Sequence, residues 1–217
     1  MDALLAEAAN LWRATFSGDD LRLIGGLAVR LHVGSSSRTT TDIDLVAMNQ
    51  AARERLLEHL ERSGYQIVHT GGWWRAMRNE GRCLVIDVAD NPVVNPRTFE
   101  PVHLRAAPRS GLVGDIPIAA AGVDDLVMLK LLAMRDQDLA DLLLLSGACD
   151  ISAKAIAHVA EDDDVERTVA AGAIQARHAL SSGRLEDIIE ELLERKPDER
   201  SVSRLVALLA ALEEEGL

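Results

Sequence analysis

Three aspartates in this chain stand where they could hold a cation between them. Asp42 and Asp44 flank Ile43 in the segment TDIDLVA, directly after a loop rich in Gly, Ser and Thr. Alternate side chains of a strand project from one face, about 6.6 Å apart at their Cα atoms, so both carboxylates share a face while Ile43 and Leu45 point into the core. Like charges so placed repel, and a divalent ion relieves the repulsion. Mg²⁺ is the natural candidate, because it prefers oxygen ligands and is commonly held by one or two carboxylates together with substrate phosphates. Asp87 is the third. In CLVIDVAD, Leu84, Ile86 and Val88 form one face and leave Asp87 on the other, between Val85 and Ala89. An Asp in an apolar strand is costly unless it is paired or bound to a metal. If this strand neighbours TDIDL, the three carboxylates form one cluster. A D-x-D alone is common and usually caps a turn. What points to a site is the combination of Gly pair, helix, polar loop, D-x-D strand and later strand Asp.

The elements that must position these residues alternate through the first half. Leu4, Leu5, Ala8, Leu11 and Trp12 recur at helical spacing and predict a helix over residues 2 to 15. LRLIGG reads as a short strand ending in the pair Gly25-Gly26, and LAVRLHV as a helix ended by Gly34. TDIDLVA is a strand, and Gln50 to Ser63 an amphipathic helix closed by Gly64. YQIVHT, WWRAMRN and CLVIDVA follow as strands with Gly-containing turns between them, consistent with hairpins. FEPVHLRA and IPIAAA read as two further short strands. From Val123 the texture is helical to the end. The expected fold class is α/β (α+β), with a mixed sheet in a domain over residues 1 to 120 and a helical domain over 121 to 217.

Gly25-Gly26, followed by Arg38-x-Thr40-x-Asp42-Ile43-Asp44, resembles the signature of the nucleotidyltransferase superfamily with a polymerase-β-like palm. More narrowly, the sequence is similar to the AbiEii/MenT group of nucleotidyltransferase-like toxins from type IV toxin–antitoxin systems. VDDLVMLKLLAMRDQDLADLLLL resembles that group's helix carrying a Lys and a later D-x-x-D, here Lys130, Asp138 and Asp141. The resemblance covers roughly residues 21 to 146. Gly26 stands where many superfamily members have Ser, as is usual in the subgroup, and Gln137 stands where a basic residue often precedes the Asp.

The resemblance implies a palm fold and the transfer of a nucleoside monophosphate from a nucleoside triphosphate, with release of pyrophosphate. It implies Mg²⁺ ions held by Asp42 and Asp44, stabilising the attacking and leaving oxygens. Asp87 would position the metal that activates the acceptor hydroxyl, or take its proton. Gly25 and Gly26 would cradle phosphate oxygens at a helix start; Thr40 belongs to the same nucleotide-binding motif, and Arg38 and Lys130 would bring positive charge to the triphosphate. On one continuous helix, Lys130 and Asp141 would share a face but lie about 16 Å apart, too far to grip one phosphate. Asp141 would then serve the base, the ribose or the structure. Asp138 reads equally as an ordinary surface residue paired with Arg135 at i,i+3. The implied role is that of a toxin acting on RNA, with the tRNA 3′ acceptor end as target and a cognate antitoxin protein as partner. The alternatives are a small-molecule enzyme that adenylylates an antibiotic, and a catalytically silent binding module or antitoxin-like partner.

Composition narrows the classes. Of the net charge of −12, residues from Glu161 onward carry −8 (15 acidic, 7 basic) and residues 1 to 160 carry −4 (20 acidic, 16 basic). That balance argues against general duplex DNA binding, which rests on phosphate contacts. It leaves room for a local basic patch: Arg75, Arg78, Arg82, Arg97, Arg105 and Arg109 face only Glu80, Asp87, Asp90 and Glu100 in the same stretch. No apolar run approaches the roughly 20 residues of a membrane span, and MDALLAEAANLW lacks a basic signal-peptide start, so a cytoplasmic protein is expected. Cys83 and Cys149 are far apart and suggest neither a zinc site nor a disulfide framework. His32, His59, His69, His103, His158 and His178 have no metal-ligand spacing, and there is no P-loop. The run Ser35-Ser36-Ser37 is read as an exposed loop, His32 as a partly buried helical residue, and Glu161 to Asp164 as a solvated interhelical loop. Trp73 and Trp74 should place one ring on each face of a strand, one in the core and the outward one free to stack on a base.

Overall fold

A computed structural model gives the architecture, and it describes residues 3–13, 16–17, 20–34, 38–79, 81, 83–95 and 98–217. The run Ser35-Ser36-Ser37, Glu80, Arg82 and Arg97 lie outside the described residues, as do residues 2, 14 and 15 of the expected first helix. Helix α1 spans Ala3–Arg13, strand β1 Leu21–Ile24, α2 Gly25–Val33, β2 Asp42–Ala47 and α3 Gln50–Arg62. A three-strand meander follows: β3 Gln66–Thr70, β4 Trp73–Asn79 and β5 Cys83–Asp90. Then come β6 Val93–Val94, β7 Pro101–Val102, β8 Arg109–Val113 and β9 Ile116–Ala120. The remainder is helical: α4 Val123–Ala133, α5 Asp136–Ala148, α6 Ala153–Asp162, α7 Glu166–Ser181, α8 Arg184–Leu193 and α9 Glu199–Glu214. No described helix is long and apolar enough to cross a membrane.

Among the described residues, seven strands form one mixed sheet in the order β3-β4-β5-β2-β1-β9-β8, and β6 pairs with β7 separately. β2 runs parallel to β5 and antiparallel to β1, while β3, β4 and β5 pair antiparallel as the Gly turns predicted. Ile43, Leu45, Ile86 and Val88 are fully buried on the core side. Each such side chain contributes roughly 1.5–3 kcal/mol on burial, which anchors the two central strands in register. One continuous cluster of buried side chains runs from Leu4 in α1 to Leu212 in α9.

The structure differs from the sequence expectations in several elements. Gly25 and Gly26 do not end β1; they open α2. Within FEPVHLRA only Pro101 and Val102 are in a strand, and that strand lies outside the main sheet. RSGLV, unassigned from the sequence, is β8, the antiparallel edge partner of β9. Most consequentially, the segment read as one helix with Lys130 breaks after Ala133. Met134 caps α4 in the left-handed conformation (φ 44°), and the Asp138 carboxylate accepts the Arg135 backbone N–H at 3.0 Å to start α5. The acidic run at Glu161 is a solvated interhelical loop only in part, with Glu161, Asp162 and Asp164 exposed. Glu161 and Asp162 end α6, and Asp163, its side chain only 2% exposed, accepts from the His103 backbone N–H and Nδ1 and from Arg105 Nη2.

Candidate active site

Strand register builds one row of residues across the sheet. Ile24 pairs with Asp44, Asp44 with Asp87, Asp87 with Arg75 and Arg75 with Val68. Residues opposite one another on neighbouring strands project from the same face, so the whole row lines a single cavity of about 1040 Å³. Its opposite wall comes from α4 and the start of α5, with Leu126, Leu129, Lys130 and Arg135 among its residues. Asp42, two residues before Asp44, joins the row's face.

The three carboxylates lie together: Asp42, Asp44 and Asp87 each offer an oxygen within 4.8 Å of the others. Thr40 Oγ1 donates to Asp42 Oδ1 at 3.1 Å, tying the polar loop to the cluster. Crowding has an electrostatic consequence. Burial, with the charge of Asp42 next in weight and that of Asp87 adding to it, pushes the Asp44 carboxyl up to about 7, against the opposing pull of Lys130 and Arg135. Three convergent oxygen donors that repel one another suit a hard divalent cation.

The Gly pair is explained by this crowding. Gly25 sits at φ 63° directly beyond β1, and a Cβ there would collide with the Asp44 carboxylate. At Gly26 a Cβ would stand 3.0 Å from Thr40 Cβ and Oγ1 and 3.2 Å from Arg38 Nη2. The chain thus needs glycine for the helix start to pass over the carboxylates, and the same two residues put the first N–H groups of α2 at the cavity wall.

Behind Asp44 lies a string of five charged side chains. Lys130 Nζ contacts Asp138 Oδ1 at 3.0 Å and Asp141 Oδ2 at 2.7 Å. Arg38 forks onto Asp141, with Nε and Nη2 each at 3.1 Å, and Arg135 Nε reaches Asp138 at 2.7 Å. This overturns the separation of about 16 Å expected for one straight helix, because the turn at Met134 folds α5 back along α4. Asp138 and Asp141 are fully buried, so neither is the surface residue that Asp138 resembled. Burial pushes Asp138 up, but Lys130 and Arg135 outweigh it and the carboxyl titrates below its ordinary range. Three cations against two anions leave the string one positive charge in surplus beside Asp44.

Other sequence-selected residues fall elsewhere. Arg78 pairs with Glu7, Arg105 with Asp163, and Arg109 Nε donates to the Leu31 carbonyl, so among the described members of the basic stretch only Arg75 lines the cavity. Arg75 forks onto Asp87, with Nε at 2.7 Å from Oδ1 and Nη2 at 2.6 Å from Oδ2. Sequence reasoning counted Arg75 only as part of a basic bias and Arg135 only as a pair partner; alternation in WWRAMRN places Arg75 with Trp73 and Met77 but does not identify what they face. Trp73 is the cavity-side ring, its Nε1 donating to the Val94 carbonyl at 3.1 Å. Trp74 stacks on His69 beneath Arg53 on the other face. His32 is part-buried, its Nε2 donating to the Ala121 carbonyl at 2.9 Å.

The family described as "Nucleotidyl transferase AbiEii toxin, Type IV TA system" matches residues 10–212. In fold, the chain is similar to an antigenic nucleotidyltransferase-like protein from Paracoccidioides brasiliensis, at 16% identity and a TM-score of 0.50 over 92% of this chain and 94% of that one. A more distant likeness is to ANT(2")-Ia, solved in complex with adenylyl-2"-tobramycin, at 17% identity and a TM-score of 0.44 over 80% of this chain and 94% of that one. None of the curated proteins matches the chain.

Proposed function

This chain belongs to the AbiEii family of nucleotidyltransferase toxins of type IV toxin–antitoxin systems, and on that premise we propose that it moves a nucleoside monophosphate from a triphosphate onto RNA, with the tRNA 3′ acceptor end as its target. The observation that carries this reading is the cluster of Asp42, Asp44 and Asp87 under the glycine-opened start of α2. Those three carboxylates would hold Mg²⁺, which supplies a counter-charge for the triphosphate and for the oxygen that attacks it.

In the proposed reaction the acceptor hydroxyl oxygen forms a bond to the α-phosphorus. The bond from that phosphorus to the bridging oxygen of the β-phosphate breaks, pyrophosphate leaves, and the hydroxyl proton passes to a carboxylate of the cluster and on to solvent. The N–H groups of Gly25 and Gly26 orient phosphate oxygens. Arg38 and Lys130, held by Asp141 and Asp138, supply fixed positive charge beside Asp44, which stabilises a triphosphate without requiring either side chain to move. Residues 1–120 then act as the palm, and residues 121–217 as the helical unit that completes the cavity.

Charge in the cavity wall supports an anionic acceptor. The lining carries Arg38, Arg75, Lys130 and Arg135 against Asp42, Asp44, Asp87, Asp138 and Glu191, so divalent ions on the cluster would turn a balance of one negative charge in excess into a positive surplus. A polycationic antibiotic would meet repulsion there, whereas an RNA end would be attracted. The protein would act in the cytoplasm, where its acceptor is found, and would be restrained by a cognate antitoxin.

The test is to incubate the protein with Mg²⁺, total cellular RNA and each labelled nucleoside triphosphate in turn. Label in RNA of tRNA size, absent with Asp42→Ala, is the expected result. Label that enters an aminoglycoside but never RNA would overturn the choice of acceptor, and no labelled product with either would overturn the reaction.

A further inference from the structure

Arg75 is the one cavity-lining cation whose partner is also a member of the carboxylate cluster at hydrogen-bond distance among the described residues. It pairs in register with Asp87, and its guanidinium takes both Asp87 oxygens, at 2.7 and 2.6 Å. Yet the same Asp87 is one of three carboxylates whose oxygens converge within 4.8 Å. A divalent ion drawn to that convergence would share an Asp87 oxygen with a guanidinium nitrogen, and two positive groups on one oxygen repel. The two partners also differ in how firmly they are held. The Arg75 side chain is 55% exposed, and its cross-strand neighbour on β3, Val68, is 49% exposed, so the guanidinium borders open space in the cavity. Asp87, by contrast, has a side chain only 12% exposed and is fixed between β2 and β4.

We propose that Arg75 and a divalent cation are alternative partners of Asp87, and that the exchange turns the Arg75 guanidinium towards a phosphate of the acceptor. Arg75 is then a positioning residue that couples loading of the cluster to capture of an anionic acceptor. The forked pair keeps Asp87 aimed at Asp42 and Asp44 beforehand. Once the guanidinium turns away, it stands on the β4 side of Asp87, on the face shared with Trp73 and Met77. A fork of N–H groups matches a phosphate as well as it matches a carboxylate. The second half of this proposal rests on nucleotidyl transfer to RNA; the first half does not.

Calorimetric titration of the full chain with Mn²⁺, without nucleotide or RNA, tests the exchange directly. Arg75→Ala should bind Mn²⁺ about tenfold more tightly than the wild type, and Arg75→Lys, which keeps the charge but not the fork, should lie between them. Asp42→Ala should lose the binding. If Arg75 merely braced Asp87, its removal would weaken Mn²⁺ binding, so equal or weaker affinity in a folded Arg75→Ala protein overturns the exchange. Absence of Mn²⁺ binding in wild type and Arg75→Ala alike overturns both the exchange and the metal site. Steady-state transfer then tests the acceptor step: Arg75→Ala should raise the KM for RNA about tenfold while the KM for the nucleoside triphosphate changes little. An unchanged KM for RNA overturns that half. Because the Mn²⁺ measurement needs no acceptor, a protein that never labels RNA still decides the exchange.

Discussion

Gly25 and Asp44 occupy adjoining space so tightly that any side chain at the first position would collide with the carboxylate of the second. Gly25 also holds a φ of 63°, which only glycine adopts cheaply. The helix start and the carboxylate cluster are therefore one construction: α2 begins where it does because Asp44 leaves room for no side chain. Gly25→Ala should cost about 2–4 kcal/mol from strain and overpacking together. It should also weaken divalent-ion binding by pushing Asp44 aside. Gly26→Ala, facing contacts at 3.0 Å with Thr40, should be milder in both respects. Urea unfolding of the two variants beside the wild type measures the difference; equal midpoints would show that Asp44 simply turns away.

Lys130 gives a second prediction, and it differs from what a phosphate ligand would give. Its Nζ is enclosed by Asp138 and Asp141 and its side chain is 4% exposed. Lys130→Ala leaves two buried carboxylates short of a cation, although Arg135 and Arg38 remain beside them. A loss of about 3 kcal/mol is expected, measured by thermal or urea unfolding, with a drop in triphosphate affinity accompanying it. A fully stable Lys130→Ala protein would mean that the two arginines alone satisfy the pair.

Stability should depend on pH in a direction set by two raised carboxyls. Asp44 is pushed up to about 7, by burial first and then by Asp42, and Asp125 to about 6, by burial. In the unfolded chain both titrate near 3.9. Between about pH 4 and 7 the folded protein therefore holds protons that the unfolded chain has released. In metal-free buffer its stability should fall as pH rises through that window and then level off, by at most about 4 kcal/mol for Asp44. Asp44→Asn should remove most of the slope, and Mg²⁺ should flatten it in the wild type. A wild type that gains stability steadily from pH 5 to 7 without metal would contradict the crowding of Asp44.

The cluster should behave as a unit in catalysis. Asp87→Ala should lower nucleotidyl transfer by on the order of 10³-fold or more, about as far as Asp42→Ala, and the double variant should be little worse than either. Single-turnover transfer with labelled triphosphate measures all three. Near-normal transfer by a folded Asp87→Ala protein would remove the third carboxylate from the reaction.

Much of this site was legible in the chain because its signals are local. The alternation in TDIDLVA assigns Asp42 and Asp44 to one face whatever strand lies beside them, since side chains in a strand alternate by construction. The same rule sets Asp87 against the apolar face of Leu84, Ile86 and Val88. What the chain did not show was which residue stands opposite which. That Asp44 meets Asp87, and Asp87 meets Arg75, follows from pairing between strands distant in sequence, and register is settled by packing and by partners rather than by local pattern. The break at Met134 was hidden for a related reason. Helices α4 and α5 are buried on nearly every side, so their apolar run has no solvent face whose periodicity could stop and restart. Tertiary structure alone brings Lys130, Asp138, Asp141 and Arg38 into contact, because a left-handed residue at one position redirects the chain and burial then requires each charge to find a partner.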